Sequence, residues 1–166
     1  MSSITVVNKD WSIVNAVKSA LVGATIEGSA VFEEVVVTTS EQQTRECQFT
    51  ASPEAIVRYV TTRDDVGLDG ERNCVVSLKI TVAAMVHASG VDESARLEEL
   101  LRLKNAAINA VEASLPADAE AVGDKNFYAR RIRWGEVQID TAIKPPWAVA
   151  VLPVELGFRL AGATGH

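Results

Sequence analysis

The segment CVVSLKITVAAMV, residues 74–86, carries the clearest structural signal in this sequence. Ser77, Lys79 and Thr81 stand at odd-numbered positions, whereas every even-numbered position is apolar. Because successive side chains of a β-strand point to opposite faces of the sheet, this pattern predicts a strand with one buried face and one open face. The apolar even positions are Cys74, Val76, Leu78, Ile80, Val82, Ala84 and Val86.

The predicted strand is long for a small domain. At about 3.3 Å per residue it spans roughly 45 Å from Cys74 to His87, whereas strands of about 5–6 residues are usual. We therefore expect it to bend, or to project beyond the globule with a hairpin partner. The partner strand is predicted over residues 55–62. The polar residues 63–72 predict the hairpin tip, since their glycines permit positive φ.

Further strands are predicted on both sides of this hairpin. The valine-rich run 30–38 predicts one of them. Alternation over residues 127–140 predicts two strand pieces with a kink at Gly135, and residues 147–160 alternate again. Pro153 has no backbone N–H to donate, so we expect the last strand to be an edge strand or to be bulged at this residue.

Two amphipathic helices complete the predicted elements. Asp10 is the predicted N-cap of the first helix, and Gly23 is expected to end it. The second helix is predicted to follow the N-cap Asp92 and to stop at Pro116. Its apolar stripe, which Lys104 interrupts, comprises Leu97, Leu100, Leu101, Ala107, Ile108, Val111 and Leu115. These elements predict one small soluble α+β domain over residues 1–166.

Composition excludes several functional classes. The formal net charge is −6, which argues against a nucleic-acid-binding protein with a broad basic face. No window approaches about 20 consecutive apolar residues, so no transmembrane helix is predicted and no membrane partner is expected. The start of the sequence lacks the pattern of a secretory signal, and the two cysteines are expected to be free thiols. These features favour a protein that acts, or is assembled, in the cytoplasm.

Residues with catalytic chemistry are few. His87 has no second His or Cys at ligand spacing, so we interpret it as a solvated strand end. Cys74 lies on the predicted core face, and Cys47 lies in a polar loop with no histidine to activate it. The phosphate-binding, dinucleotide-binding and nucleophile-elbow motifs are missing from the sequence. We therefore expect no enzymatic activity, no metal and no cofactor.

Four carboxylates cluster at the predicted hairpin tip: Asp64, Asp65, Asp69 and Glu71. Dense carboxylates can bind calcium, but their order does not fit the spacing of an EF-hand loop. A solvated turn is the simpler interpretation, and a tip that binds a protein partner is the alternative.

Arg130, Arg131 and Arg133 form the basic cluster of the sequence, beside three aromatic residues. Strand alternation places Arg131 and Arg133 on one face and Arg130 on the other. The cluster is either a solvated strand face or a contact for an acidic partner or for passing nucleic acid. Exposed arginines in an acidic protein can pair with carboxylates of a neighbouring subunit, and the tip carboxylates are candidates for this role.

The order of elements resembles that of the tail terminator (tail completion) proteins of long-tailed phages. The similarity is one of layout, and the polar loop 40–52 and the break at Pro145–Pro146 depart from it. The segments that carry it are residues 11–17, 55–60, 75–86, 93–115 and 149–156, within a similarity that spans about residues 10–160.

The resemblance implies a fold and a role. The implied fold is a mixed, mostly antiparallel sheet with two main helices packed on one face and a long β-hairpin. The implied role is structural: a homohexameric ring in the virion neck that terminates the tail tube and joins it to the head-side connector. The implied partners are the tail tube protein, the connector or neck protein and, where there is one, the tail sheath, with DNA only as passing cargo. Val75, Ala83 and Met85 on the open face of the long strand are candidate subunit contacts.

Three other interpretations remain open at this point. One is a different neck or head-completion protein of the same build. Another is an α+β domain that binds a small ligand or acts as an enzyme, and the last is a regulatory or adaptor domain. A stable ring would favour assembly, whereas a monomer whose melting point rises with a ligand would favour the binding domain.

Overall fold

The computed structural model describes residues 9–40, 49–66, 72–85, 93–115, 127–144 and 147–160. Two helices and eight strands are found in this part of the chain. The helices are α1, Lys9–Val22, and α2, Glu93–Ser114. The strands are β1 (Thr25–Ile26), β2 (Ser29–Ala30), β3 (Glu34–Thr38), β4 (Glu54–Val66), β5 (Arg72–Met85), β6 (Phe127–Trp134), β7 (Gln138–Lys144) and β8 (Trp147–Leu160).

Six strands form the main sheet, in the order β3-β4-β5-β8-β6, with β7 also paired to β8. Only the β3–β4 pair among these is parallel. The prediction of an α+β fold with a mixed, mostly antiparallel sheet is therefore confirmed. The single strand predicted over 30–38 is instead two elements, because β1 and β2 form a short separate hairpin. Its turn has φ of 52° at Glu27 and 83° at Gly28, a conformation that favours glycine.

The core lies between the helices and one face of the sheet. The predicted register of β5 is confirmed, because its even positions from 74 to 84 are all buried and belong to one cluster with α1 and α2. Helix α1 contacts β3 and β4, while α2 contacts β5 and β8. Both helices therefore cover the same face. Val86, the last residue of the predicted alternation, lies outside the described residues.

The helix stripes differ in detail from the prediction. In α2, Leu103 is buried although the predicted stripe omits it, whereas Leu97 is 40% exposed. Helix α1 begins at Lys9, so Asp10 lies in its first turn and not before it. The Asp10 carboxylate accepts a hydrogen bond from the Thr62 hydroxyl at 3.0 Å, which ties α1 to β4. The predicted N-cap Asp92 lies outside the described residues.

A register shift in β4 changes which side chains face the helices. The shift lies between Tyr59 and Thr61, so Val60 is the extra residue of a β-bulge and is 41% exposed. Before the bulge the odd positions face the core. After it the even positions do, as Thr62 shows by its contact with α1. One extra residue reverses the alternation of everything that follows in the strand.

Strand β8 is an interior strand, so the prediction of an edge strand is wrong. Its pairing with β5 runs through Pro153 without a register shift, so the predicted bulge is also not found on that side. The Pro153 carbonyl accepts a hydrogen bond from Gly135 N at 2.8 Å. Since the N and C=O of one residue in an antiparallel strand point to the same neighbour, the missing N–H faces the gap between β6 and β7. The predicted kink at Gly135 is this gap.

The β4–β5 hairpin is longer than predicted. Residues 63–66 and Arg72 belong to the paired strands, whereas the sequence places them in the tip. The predicted tip therefore shrinks to residues 67–71, which lie outside the described residues.

Replacement of Ile80 by Asp tests the register of the core. Ile80 is fully buried, so the variant places an unpaired carboxylate in the core and should lose about 3–5 kcal/mol of unfolding free energy. Val60→Asp is the matched control: the same type of change at an exposed bulge residue should cost under about 1 kcal/mol. Chemical denaturation of both variants measures the difference. An Ile80→Asp protein with unchanged stability would contradict the assigned register.

Replacement of Gly135 by Ala tests the close approach to Pro153. A Cβ at position 135 would lie 3.2 Å from Pro153 Cβ, and the rigid proline ring has little room to yield. We expect a loss of about 1 kcal/mol. Gly157→Ala is the control, because its Cβ would meet its nearest neighbour, Arg131 Cβ, at an ordinary 3.7 Å. Equal melting temperatures for the two variants would refute the steric explanation.

Candidate interaction surface

The face of the sheet opposite the helices carries a group of cations. Strand pairing places Arg63 beside Val75, and Arg133 beside Glu155, on this face. We define the basic patch as Arg63, Lys79, Arg131, Arg133 and the single carboxylate Glu155. Four strands, β4, β5, β8 and β6, contribute to it.

Glu155 lies in the middle of the basic patch. Its Oε1 is 3.4 Å from the Arg63 guanidinium, which reaches across β5 to make this contact. The two side chains remain 58% and 40% exposed, for Arg63 and Glu155 respectively. An exposed pair of this kind contributes only about 0–1 kcal/mol. The contact therefore leaves Arg63 able to exchange Glu155 for another carboxylate.

Small side chains form a depression inside the basic patch. A cleft of about 340 Å³ lies between Lys79, Arg133 and Glu155, with Val60 of the β4 bulge at its border. Ser77, Gly135 and Pro153 are also among its lining residues. Two of the four cations, Lys79 and Arg133, thus line a shallow hollow.

The structure brings together only part of the predicted arginine cluster. Arg131 and Arg133 are exposed and share the open face, as the alternation predicts. Arg130 falls at a register shift between Ala129 and Arg131. It is therefore an extra residue in β6, and the alternation of faces does not run through it unbroken. Its predicted role at an interface is untested by the structure.

Three members of the basic patch were missed from the sequence. Lys79 could have been found, since it is an odd position of β5 and must face away from the core. Arg63 could not, because it was assigned to a turn and reaches this face only through the bulge at Val60. Glu155 became relevant only once the order of the strands placed it between Arg63 and Arg133.

The three apolar residues of β5 that were predicted as subunit contacts differ in their exposure. Met85 is 45% exposed and Val75 is half-buried, but Ala83 is completely buried. The prediction that Ala83 is an exposed contact is therefore wrong. Ala83 pairs with Glu54 and Val149, both buried themselves, so this end of the second face is not open.

Residues 49–52 explain why that end of the sheet is covered. The Phe49 ring lies 4.8 Å from the Trp147 ring, measured between centroids, and Ser52 Oγ accepts a hydrogen bond from Met85 N at 2.8 Å. Thr50 donates from its backbone N to Glu54 at 3.2 Å. The sequence assigns this segment to a loop, and periodicity carries no information about where a loop packs.

Asp64 is the only member of the predicted carboxylate cluster whose side chain the structure describes. Asp64 is exposed and paired with Cys74 in the ladder, and Asp65 is paired with Asn73. Asp69 and Glu71 lie outside the described residues. Their predicted role as an interface therefore stays a prediction.

The described residues include neither a metal-binding cluster nor a membrane-spanning helix. Among the described residues, no three His, Cys, Asp or Glu side chains are placed to hold a metal ion. The described helices include none with the length and apolar character needed to cross a membrane. Cys74 is a buried free thiol, whereas Cys47 and His87 lie outside the described residues.

A second cleft of about 530 Å³ lies between the end of α1 and helix α2. Its largest polar lining residue, Arg102, is held by Glu99 through bonds of 2.9 and 3.1 Å to the two carboxylate oxygens. The hydrogen bonds that Arg102 donates to Glu99, together with the negative charge of that carboxylate, raise the pKa of Arg102. Most other lining residues are small, so this cleft offers little chemistry for recognising a ligand.

Comparison with known proteins gives a similarity of fold. No protein-family model matches the sequence, and no curated protein shows significant similarity to it. Among solved structures, a chain of the "Virion of native gene transfer agent (GTA) particle" is similar, with a TM-score of 0.50 and 13% sequence identity. The match covers 88% of this chain and 93% of that chain. The two chains therefore share the α+β fold over nearly their whole lengths.

Proposed function

We propose that this chain is a structural protein of a phage-like virion, with no enzymatic activity. The observation that carries the proposal is the shared fold, because the similar chain belongs to a gene transfer agent virion and the match leaves little of either chain uncovered. The charged open face of the sheet supports the proposal, since virion subunits need surfaces for their neighbours.

Within this class we propose the tail terminator role that the sequence resemblance implies. The chain would form a homohexameric ring in the neck, contact the tail tube protein on one side and the head-side connector on the other, and let DNA pass as cargo. The tail sheath would be a further neighbour where a sheath exists. The ring is proposed to use the basic patch, Arg130, Val75 and Met85, with Asp64, Asp65, Asp69 and Glu71 as acidic contacts.

A different neck or head-completion protein is the second candidate, because the same fold similarity supports it equally. The two roles differ in what they control. A terminator stops the growth of the tail tube, whereas a head-completion protein closes the filled head. Loss of the protein therefore has different results in the two cases.

Deletion of the gene in the strain that makes the particles tests the proposed role. A missing terminator should give tail tubes of irregular length that are not joined to heads, and supply of the intact chain from a plasmid should restore joined particles of uniform tail length. Electron microscopy of purified particles measures both. The Ile80→Asp variant is a negative control, since its expected loss of stability should reduce the amount of folded protein and hence the number of joined particles. Tails of normal length lacking only their heads would contradict the terminator role and favour head completion.

A further inference from the structure

The charge of this chain is unevenly distributed. The basic patch contributes four positive side chains and one negative, a net charge of +3. Since the whole chain has a formal net charge of −6, the remainder of the chain carries −9. The basic patch is thus opposite in sign to the remainder of the chain taken together.

We propose that the basic patch binds the acidic surface of a second copy of this chain, in a head-to-tail contact. This inference rests on the proposed ring and adds to it which surface one subunit offers to the next. Two patches of equal charge repel when they meet face to face, so a twofold contact through the patch is disfavoured. A contact between two different surfaces of the same chain closes into a ring when its rotation allows.

Charge favours a protein occupant over a nucleic acid. Duplex DNA presents about one negative charge per 1.7 Å of its axis, and it would meet the negative remainder of the chain around a small positive area. The described side chains of the basic patch include no aromatic ring on which a base could stack. The shallow cleft instead suits a single carboxylate, because Lys79 and Arg133 line it, and the exposed Arg63 can exchange Glu155 for a second one.

The central variant is Arg131→Glu with Arg133→Glu, studied as the full chain. Each change alters the charge by −2, so the net charge becomes −10. We expect the apparent dissociation constant of self-association, from light scattering over a concentration series, to rise at least about tenfold. Lys18→Glu with Lys104→Glu gives the same net charge from positions on the helices and should assemble like the natural chain. Arg63→Glu perturbs the patch from a different strand and should act in the same direction if the double variant does not fold.

A mixing experiment separates the two kinds of contact. In a head-to-tail assembly, the double variant still offers its acidic surface but has lost its basic one. Small amounts of it should therefore bind the ends of growing assemblies of the natural chain and reduce their mean size. A face-to-face contact predicts the opposite result: the reversed patch would attract the natural patch and give a stable one-to-one complex. That complex would overturn the proposal.

Three further outcomes are decisive. Normal assembly of the folded double variant would refute the role of the patch, while the ring and the proposed function would stand. Loss of assembly in the Lys18 and Lys104 control as well would show an effect of net charge alone and would also refute it. A natural chain that is monomeric but binds a short DNA duplex through these arginines would overturn both the inference and the ring. Thermal melting of every variant shows that the comparison is made between folded proteins.

Discussion

The fold depends on strand β5 being hydrogen-bonded along both of its edges. It pairs with β4 from Arg72 to Ala83 and with β8 from Asn73 to Met85. Only a strand in the middle of a sheet can have one face wholly buried over such a length. The two helices then need to cover only one surface, and the other surface is open where the exposed charged residues of the basic patch lie. The position of the basic patch follows from this arrangement.

Two bulges decide which charges share the open face. Without the extra residue Val60, Arg63 would point towards the helices, where a guanidinium would be costly to bury. The register shift before Arg131 acts in the same way on β6. Bulges are often found where a side chain has to be re-aimed. Here they bring Arg63 and Arg131 to the same face of the sheet, although the two residues are distant in the sequence.

The alternation of apolar and polar residues predicted the regular strand segments, in which successive side chains point to opposite faces of the sheet. It therefore predicted β5, the two pieces around Gly135 and the face occupied by Arg131 and Arg133. Alternation does not predict the order of strands in the sheet, and the prediction that β8 is an edge strand was therefore wrong. Pro153 is tolerated inside the sheet because its missing N–H faces the gap between β6 and β7. Burial of Ala83 depends on a loop segment packing over the sheet, and a periodic pattern does not contain that information.

The place of β8 in the sheet has a consequence for how the chain is made. The strand that completes both the core and the open face is translated after every other described element, and it inserts between β5 and β6. Until residue 160 has left the ribosome, β5 has an unpaired edge and the apolar surface meant for β8 is bare. Pairing over such a sequence distance is slow compared with local contacts, and unpaired edges favour aggregation. A nascent chain of this protein therefore depends on chaperones, or on rapid completion of synthesis, more than a fold built from neighbouring hairpins would.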